Sequence, residues 1–307
     1  MTDSITVNVP ATSANLGPGF DCLGIALSLW NTLSMKISES PEVIIHGEGE
    51  DSLPIDESNL MYTAGKRILK EAGQEEKELS IEAWLDIPLS RGLGSSSAAI
   101  TGSIYGVNAL LGYPLTPHQL LQIATEIEGH PDNVAPALMG GMSIVVTENS
   151  LVHAVPVELP ENLQCVAYIP DTPMSTSNAR SLLEPRVPRE DAIFNISRTA
   201  LLVAALSQGE FEYLKLATQD RLHQPHRQQI FRQMKVILDH AIAAGAKGAF
   251  LSGAGSTIIA FTTTEENRAF TIGYEMADAA DKSGLTGTFK VLRPTTHGAK
   301  LIERPTG

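Results

Sequence analysis

A strand that runs into a glycine turn and opens at once into a helix leaves a chain few ways to fold. Residues 81–111 read in that order. Ile81, Ala83, Leu85 and Ile87 alternate with other residues, the period of a half-buried strand. P-L-S-R-G-L-G-S-S-S-A follows over residues 88–98, with Gly92 and Gly94 bracketing Leu93, and Ala98-Ala99-Ile100 opens a helical pattern that continues to Leu111. A helix start leaves several backbone N–H groups without partners and carries partial positive charge, which suits an anion. Glycine lets the backbone approach that anion closely, and serine hydroxyls can bind phosphate oxygens or a metal ion. The turn therefore reads as the seat of a nucleotide phosphate. It is no Walker A loop, because the lysine of G-x-x-x-x-G-K-[ST] is missing, and it lacks the third glycine and downstream acid of a dinucleotide fingerprint. A Gly-rich connection with serine caps is the plainer alternative, but three consecutive serines exceed what capping requires.

Upstream, Ile5, Val7 and Val9 predict a first strand that stops at Pro10. It feeds a polar, glycine-rich loop over residues 11–21 that holds Asn15 and Asp21, and that read alone is equally a tight turn stabilised by Asx side chains. Strands are predicted over residues 27–37 and 43–46, and a helix over residues 59–73 with Gly73 as its stop. Beyond the serine helix, Thr116, Pro117 and Gln119 supply an N-cap, a first-turn proline and a capping-box partner. That helix should reach Glu128 and end at Gly129. H-P-D-N-V-A-P-A-L-M-G-G, residues 130–141, then leads to a strand over residues 142–147.

The pattern changes near residues 152–160, which divides the chain into predicted domains 1–155 and 156–307. The second half reads as helices over residues 191–208, 210–219 and 228–244, strands over 248–252 and 257–262, a helix over 265–283 and a strand over 287–292. That order is compatible with a split βαβ arrangement, and the fold class is α+β in two domains. S-G-A-G-S-T, residues 252–257, is either a hairpin turn or a place where backbone meets a ligand.

Composition narrows the partners. A net charge of −13 and a pI of about 5.0 argue against nucleic acid. Cys22 and Cys165, far apart and without a Cys-x-x-Cys pair, form neither a disulfide framework nor a zinc site and fit a reducing compartment. The N-terminus has no basic flank and no long apolar run, so neither signal peptide nor membrane span is expected, and the chain reads as cytoplasmic. Glu126 and Glu128 lie at a helix end, where the dipole disfavours acids, which makes either a candidate Mg²⁺ ligand beside phosphates. His130 has no second histidine at ligand spacing, so no transition-metal site is expected. Arg180 ends P-M-S-T-S-N-A-R, and Arg221 and Arg227 bracket two histidines in D-R-L-H-Q-P-H-R.

Three blocks resemble the GHMP kinases and follow that family's order: V-P-A-T-S-A-N-L-G-P-G-F-D-C-L-G near the start, P-L-S-R-G-L-G-S-S-S-A-A in the middle and G-A-F-L-S-G-A-G-S-T near the end. The first block and E-G-H-P-D-N-V-A-P-A-L-M-G-G look like the branch that acts on homoserine, and with P-M-S-T-S-N-A-R and P-H-R the resemblance spans essentially the whole chain. It implies an N-terminal domain like the second domain of ribosomal protein S5, a ferredoxin-like C-terminal domain, and ATP with Mg²⁺ between them. The implied reaction is ATP-dependent phosphorylation of the L-homoserine side-chain hydroxyl, in threonine synthesis, by an enzyme whose relatives are commonly homodimers.

By the same resemblance, ATP is expected at Asn59, Pro88, Leu89, Ser90, Arg91, Gly92, Leu93, Gly94, Ser95, Ser96, Ser97 and Ala98, and Mg²⁺ at Ser96 and Glu128. Homoserine is a zwitterion with one hydroxyl, so its pocket needs an anion, cations and a polar positioner. Asp21 would take the ammonium, Arg180 and Arg227 the carboxylate with His130 beside them, and Asn15 the hydroxyl, with Gly253 lining the site. Asn15, Asn133 and Arg180 are the expected catalytic set. Many relatives carry two serines followed by alanine where this chain has three serines, so the metal role could shift to Ser95 or Ser97, and Glu126 stays an alternative to Glu128. Sugar- and mevalonate-type members use an aspartate near Asp132-Asn133, but register counted from Gly140-Gly141 puts Asn133 at its place. Transfer is therefore expected to rely on positioning, with the γ-phosphate accepting the proton.

Overall fold

The computed structural model describes residues 4–303. Its first half builds a mixed sheet. β1 (Ile5–Ala14), β2 (Leu23–Ser38), β3 (Glu42–Gly47), α1 (Leu60–Glu71) and β4 (Glu78–Leu85) come first, followed by α2 (Ser95–Leu110), α3 (Pro117–Glu128), α4 (Pro131–Met139), β5 (Met142–Glu148) and β6 (Leu151–Val157). The sheet order is β11-β1-β2-β4-β3, where β11 (Lys300–Ile302) returns from the far end of the chain. β2 forks: its start pairs β5 through Leu23–Ile144, and its end pairs β4 through Thr32–Trp84. β3 and β4 are parallel, and α1 makes the crossover such a pair needs.

The β11-to-β1 pairing brings residues 300–302 back to the first sheet, and the division at residues 155/156 falls inside β6, which stays paired with β5. The first strand does not stop at Pro10. It continues to Ala14 across a register shift between Pro10 and Ala11, because a bulge accommodates a residue without an N–H. Residues 11–14, expected as loop, are therefore strand. The three serines are likewise the first turn of α2 and not a loop before it.

Beyond β6 come β7 (Leu163–Pro170), α5 (Thr176–Ser181), α6 (Arg189–Gln208), α7 (Leu214–Ala217), α8 (Gln224–Arg227), α9 (Met234–Ala243), β8 (Gly248–Leu251), β9 (Ile258–Thr263), α10 (Ala269–Lys282) and β10 (Gly287–Leu292). The four strands pair antiparallel in the order β10-β7-β9-β8, the split βαβ order of a ferredoxin-like sheet. Strand alternation then assigns two faces. Val166, Tyr168, Ile258 and Ala260 pack with Ile237 and Ala241 of α9 and Ile272 and Met276 of α10. Cys165, Ala167, Ile259 and Phe261 join a continuous core that includes Val7, Leu33 and Ile104 of the first half.

α2 is the centre of that first half. It is buried along most of its length and lies on β1 and β2 through two small residues: a Cβ on Gly102 would meet Val9 at 3.0 Å, and one on Gly106 would meet Met35 at 2.5 Å. The capping box at Thr116 and the left-handed Gly129 end of α3 follow the sequence expectation. No helix among the described residues is long and apolar enough to cross a membrane.

Candidate active site

The turn before α2 is built on the hairpin between β8 and β9. Arg91 O accepts from Thr257 N at 2.9 Å, Ser90 O accepts from Met174 N at 2.9 Å, and Gly92 O accepts from Ser252 Oγ at 2.5 Å. Gly92 has a φ of 77°, and a Cβ there would lie 2.2 Å from Ser252 O. Gly94 is the left-handed N-cap of α2, and no side chain caps the helix. The first turn of α2 thus opens, at Ser95 and Ser96, onto a cavity of about 280 Å³ that Gly92 and Gly94 also line. A second cavity of about 310 Å³ adjoins it, shares Ser90, Ser95 and Ser96, and is walled by Leu53, Pro54, Leu60, Met61, Leu85 and Leu89. Asn59 lines it and caps α1 through its side chain, which accepts from Met61 N at 2.8 Å. An apolar slot beside an anion-binding helix start is the shape of a nucleotide site.

Glu128, at the end of α3, reaches the same place. Its Oε1 accepts from Ser96 Oγ at 2.6 Å and from Ser97 Oγ at 2.7 Å. Glu126 is elsewhere, paired with Arg67 at 3.0 Å, so the structure brings only Glu128 to the phosphate turn. No cluster of three or more His, Cys, Asp or Glu side chains suits a metal ion among the described residues. One carboxylate with hydroxyls beside a phosphate seat is instead a donor set that fits Mg²⁺, which takes few protein ligands and completes its shell with phosphate and water.

The rest of the first cavity is charged. Arg180 grips Asp21 through both ends of its fork, at 2.9 and 2.6 Å, and Arg227, His130, Asp132, Asn133, Asn15 and Gly253 complete the walls. Asn15 Nδ2 donates to Gly253 O at 3.0 Å, while Asn15 Oδ1 accepts from Asp21 N at 3.1 Å. Burial pulls the pKa of Arg227 down to about 10, aided by the charge of Arg180 and opposed by Asp21. His130 donates or accepts at Nδ1 across 2.9 Å to Asp132. Burial depresses the imidazole, but the hydrogen bond and charge of Asp132, with Glu128, outweigh it and raise its pKa. Asp132 also accepts from Asn133 N at 3.0 Å, and Asn133 Oδ1 accepts from Thr12 Oγ1 at 2.8 Å.

Family models match two stretches of the chain: GHMP kinases N terminal domain over residues 59–141, and GHMP kinases C terminal over residues 202–274. The homoserine kinase of Moorella thermoacetica is 44% identical over 96% of this chain and 99% of its own length, and that of Desulfitobacterium hafniense is 42% identical over 97% and 100%. The chain belongs to the GHMP kinases. Among solved structures, a crystal structure of homoserine kinase from Cytophaga hutchinsonii superposes with a TM-score of 0.89 at 31% identity, covering 98% of each chain. Mevalonate kinase of L. major, solved with R-mevalonate, has a TM-score of 0.71 at 16% identity over 96% of this chain and 97% of its own, a likeness of fold.

For a GHMP kinase the expected residues gather closely. Asn15, Asp21, Ser90, Gly92, Gly94, Ser95, Ser96, Glu128, His130, Asn133, Arg180, Arg227 and Gly253 share the charged cavity, and Asn59 and Leu89 line its apolar neighbour. Five expected nucleotide residues line neither. Leu93 and Ala98 are fully buried, because the turn is anchored by packing one leucine into the core. Pro88 and Arg91 sit in a separate groove, where Arg91 donates to the carbonyls of Leu89, Pro170 and Asp171 and so ties the turn to β7. Ser97 touches the site only through its bond to Glu128.

Sequence reasoning missed two contributors, Thr12 and Phe20. Thr12 lies in what was read as loop, yet its strand position puts its hydroxyl on Asn133. Phe20 has the guanidinium groups of Arg180 and Arg227 at 5.5 and 5.6 Å from its ring centre, and His223 stacks on it at 5.3 Å. The aromatic inside a glycine-rich loop was the available signal. Arg221, weighed beside Arg227, pairs with Asp191 and lies over Phe194, outside the cavity.

Proposed function

We propose that this chain transfers the γ-phosphoryl group of ATP to the side-chain hydroxyl of L-homoserine, giving O-phospho-L-homoserine and ADP: a homoserine kinase activity of threonine biosynthesis. The observation that carries the reading is the Asp21–Arg180 ion pair, with Arg227 beside it, in the same cavity as the start of α2. The names of the relatives at 42–44% identity support it.

The pair suits a zwitterion. An incoming ammonium replaces Arg180 on Asp21, and the incoming carboxylate replaces Asp21 on Arg180 and takes the free edge of Arg227. Every charge then keeps a counter-charge. An acceptor without the ammonium, such as mevalonate or shikimate, would take Arg180 from Asp21 and leave that carboxylate without a counter-charge. Asn15 spends one amide hydrogen on Gly253 O and keeps the other for the acceptor hydroxyl. The adenine belongs in the apolar slot lined by Asn59 and Leu60, and the triphosphate belongs on the first turn of α2. Ser96 and Glu128 would hold Mg²⁺, which neutralises charge on the phosphate oxygens when bound. Because Ser96 and Ser97 reach the same carboxylate oxygen, Ser97 would hold Glu128 in place while Ser96 faces the cavity.

Phosphoryl transfer asks little covalent work of the protein, so positioning and charge neutralisation carry the rate. Asp132 is committed to His130 and to Asn133 N, and Asn133 to Thr12, so neither is assigned as a base. Asp132→Asn should lower kcat less than about 10-fold, whereas a loss near ~10³-fold with KM intact would install Asp132 as a general base. The reading includes an ATP-binding domain over residues 1–155 and a C-terminal domain over 156–307, and a cytoplasmic homodimer with neither nucleic-acid nor membrane partner. Light scattering that returned the 32.9 kDa monomer mass would remove the dimer. The deciding experiment is ADP release over L-homoserine, L-serine, mevalonate, shikimate and galactose. L-homoserine should give the highest kcat/KM, and ADP release that does not depend on any added acceptor would sink the assignment.

A further inference from the structure

The two arginines of the acceptor cavity are held by different means. Arg180 sits on the six-residue α5, is partly exposed and leans on Asp21. Arg227 is buried, and its side-chain hydrogen bonds among the described residues go to two neutral acceptors, Gly253 O at 2.6 Å and His223 Nδ1 at 2.9 Å. Both bonds use Nη1, and the buried Nε has no partner. A buried guanidinium with one corner fixed and another unsatisfied is arranged for an anion that arrives later.

We propose that His223 is the positioning residue for the acceptor's carboxylate, acting through Arg227; the inference rests on the homoserine reading above. His223 is fully buried, and both of its ring nitrogens are used. Nε2 lies 2.7 Å from Gly17 O, which can only accept, so Nε2 carries the proton. Nδ1 is then a lone pair, which can only accept, and it meets a guanidinium N–H, which can only donate. The partners dictate the neutral Nε2–H tautomer. His223 and Arg227 are four residues apart across the single turn of α8, so one helix face presents both. The ring is clamped from two more sides. Phe20 stacks on it, and Asp220, which accepts N–H bonds from Leu222, His223 and Gln224, lies 3.6 Å from Nε2. The histidine thus fixes the fork of Arg227, and Nη2 is left for a carboxylate.

Two substitutions separate this role from mere structure. In His223→Asn the amide oxygen falls where Nδ1 was and still accepts from Arg227; in His223→Gln the amide can serve Gly17 O but not Arg227. His223→Gln should raise KM for L-homoserine about 10- to 100-fold while KM for ATP moves less than about 3-fold, the loss expected for one charged hydrogen bond. His223→Asn should raise it less than about 5-fold. With 2-amino-1,4-butanediol, which keeps the ammonium and hydroxyl but lacks the carboxylate, the loss in kcat/KM should shrink to less than about 3-fold for both variants. Equal losses on both acceptors, a parallel rise in KM for ATP, or an asparagine no better than glutamine would overturn the proposal. If the unaltered enzyme turned over no L-homoserine, the functional reading would fail first. The histidine would then be judged by the ¹⁵N spectrum of the unaltered protein, where an Nε2–H tautomer supports the positioning role and a charged or Nδ1–H ring refutes it.

Discussion

The phosphate turn and the acceptor pocket share one cavity but are built by opposite strategies. The turn is backbone: Gly92 and Gly94 at positive φ, an uncapped helix start, and serine hydroxyls within one turn of it. Every group arrives from residues 88–98, and the hairpin over residues 252–257 supports the turn from below. The pocket is side chain: Asn15 and Asp21 from the loop after β1, His130 from before α4, Arg180 from α5 and Arg227 from α8. A dipole made of N–H groups recognises any phosphate, so the turn can serve many acceptors. On the proposed function, charges aimed from both halves would recognise one arrangement of ammonium, carboxylate and hydroxyl. Donor binding would then be a local property of the chain, and acceptor choice a global one.

That contrast can be broken by substitutions that ought to fall on one side only. Glu128→Gln should have the largest effect, a loss of about 10²–10³-fold in kcat, since a metal-linked charge at the transferred group supplies several kcal/mol. The loss should appear with every acceptor and shift the Mg²⁺ dependence upward; an unchanged Mg²⁺ titration would remove Glu128 from the metal. Arg180→Met should lower kcat/KM for L-homoserine about 10²-fold, the cost of losing a charge-assisted bidentate contact. Because the Asp21–Arg180 pair is about a third exposed, folding stability, followed through Tm, should fall by no more than a weak surface pair contributes, roughly 0–1 kcal/mol. A large fall in Tm would make the pair structural.

Gly94→Ala probes the other side. Its Cβ would stand 1.9 Å from Thr12 Oγ1 at a φ of 67°, so the Thr12–Asn133 bond must yield. Strain of about 1–3 kcal/mol should raise KM for ATP roughly 10-fold and leave acceptor preference unchanged. A changed ranking of acceptors would show that the two regions are not separable.

The smallest effect is on stability against pH. Burial, with Arg227 adding to it and Asp220 and Asp21 opposing, holds His223 at a pKa of about 4 against an ordinary 6.5. The unfolded chain takes up a proton that the folded chain withholds between those values, so stability falls as pH drops from 6.5 towards 4. His130, raised above 6.5, acts in the opposite sense: its contribution is present below 6.5 and is lost as pH climbs through its folded value. Tm followed from pH 8 to 4 should therefore decline on the acid side in a way that His223→Asn flattens, and parallel curves would remove His223 as a source.

Much of the helix and strand order could be read directly, because it rests on local rules. Thr116 and Gln119 announce α3, and alternation announces β4. α4 was not legible. Every residue of it except Met139 is buried, so it has no polar face to set a period, and Pro131 and Pro136 look like breakers. Pro131 in fact opens the helix, and Pro136 merely leaves the Asp132 carbonyl without its helical donor. β11 was missed for another reason. Three residues have too little pattern of their own and become a strand only because β1 offers an edge.

The site divides the same way. The phosphate turn was visible from residues 88–98, because glycine placement and a helix start determine its geometry locally. The sequence by itself determined a turn suited to an anion and which residue types were available for a zwitterion. Tertiary structure alone decided that Arg91 clamps the turn instead of facing the nucleotide, that Ser97 supports Glu128, and that Asp21 meets Arg180 across 159 residues. Those outcomes turn on which side chains are brought within about 3 Å of each other by packing two sheets through one core, and no spacing along the chain encodes that distance.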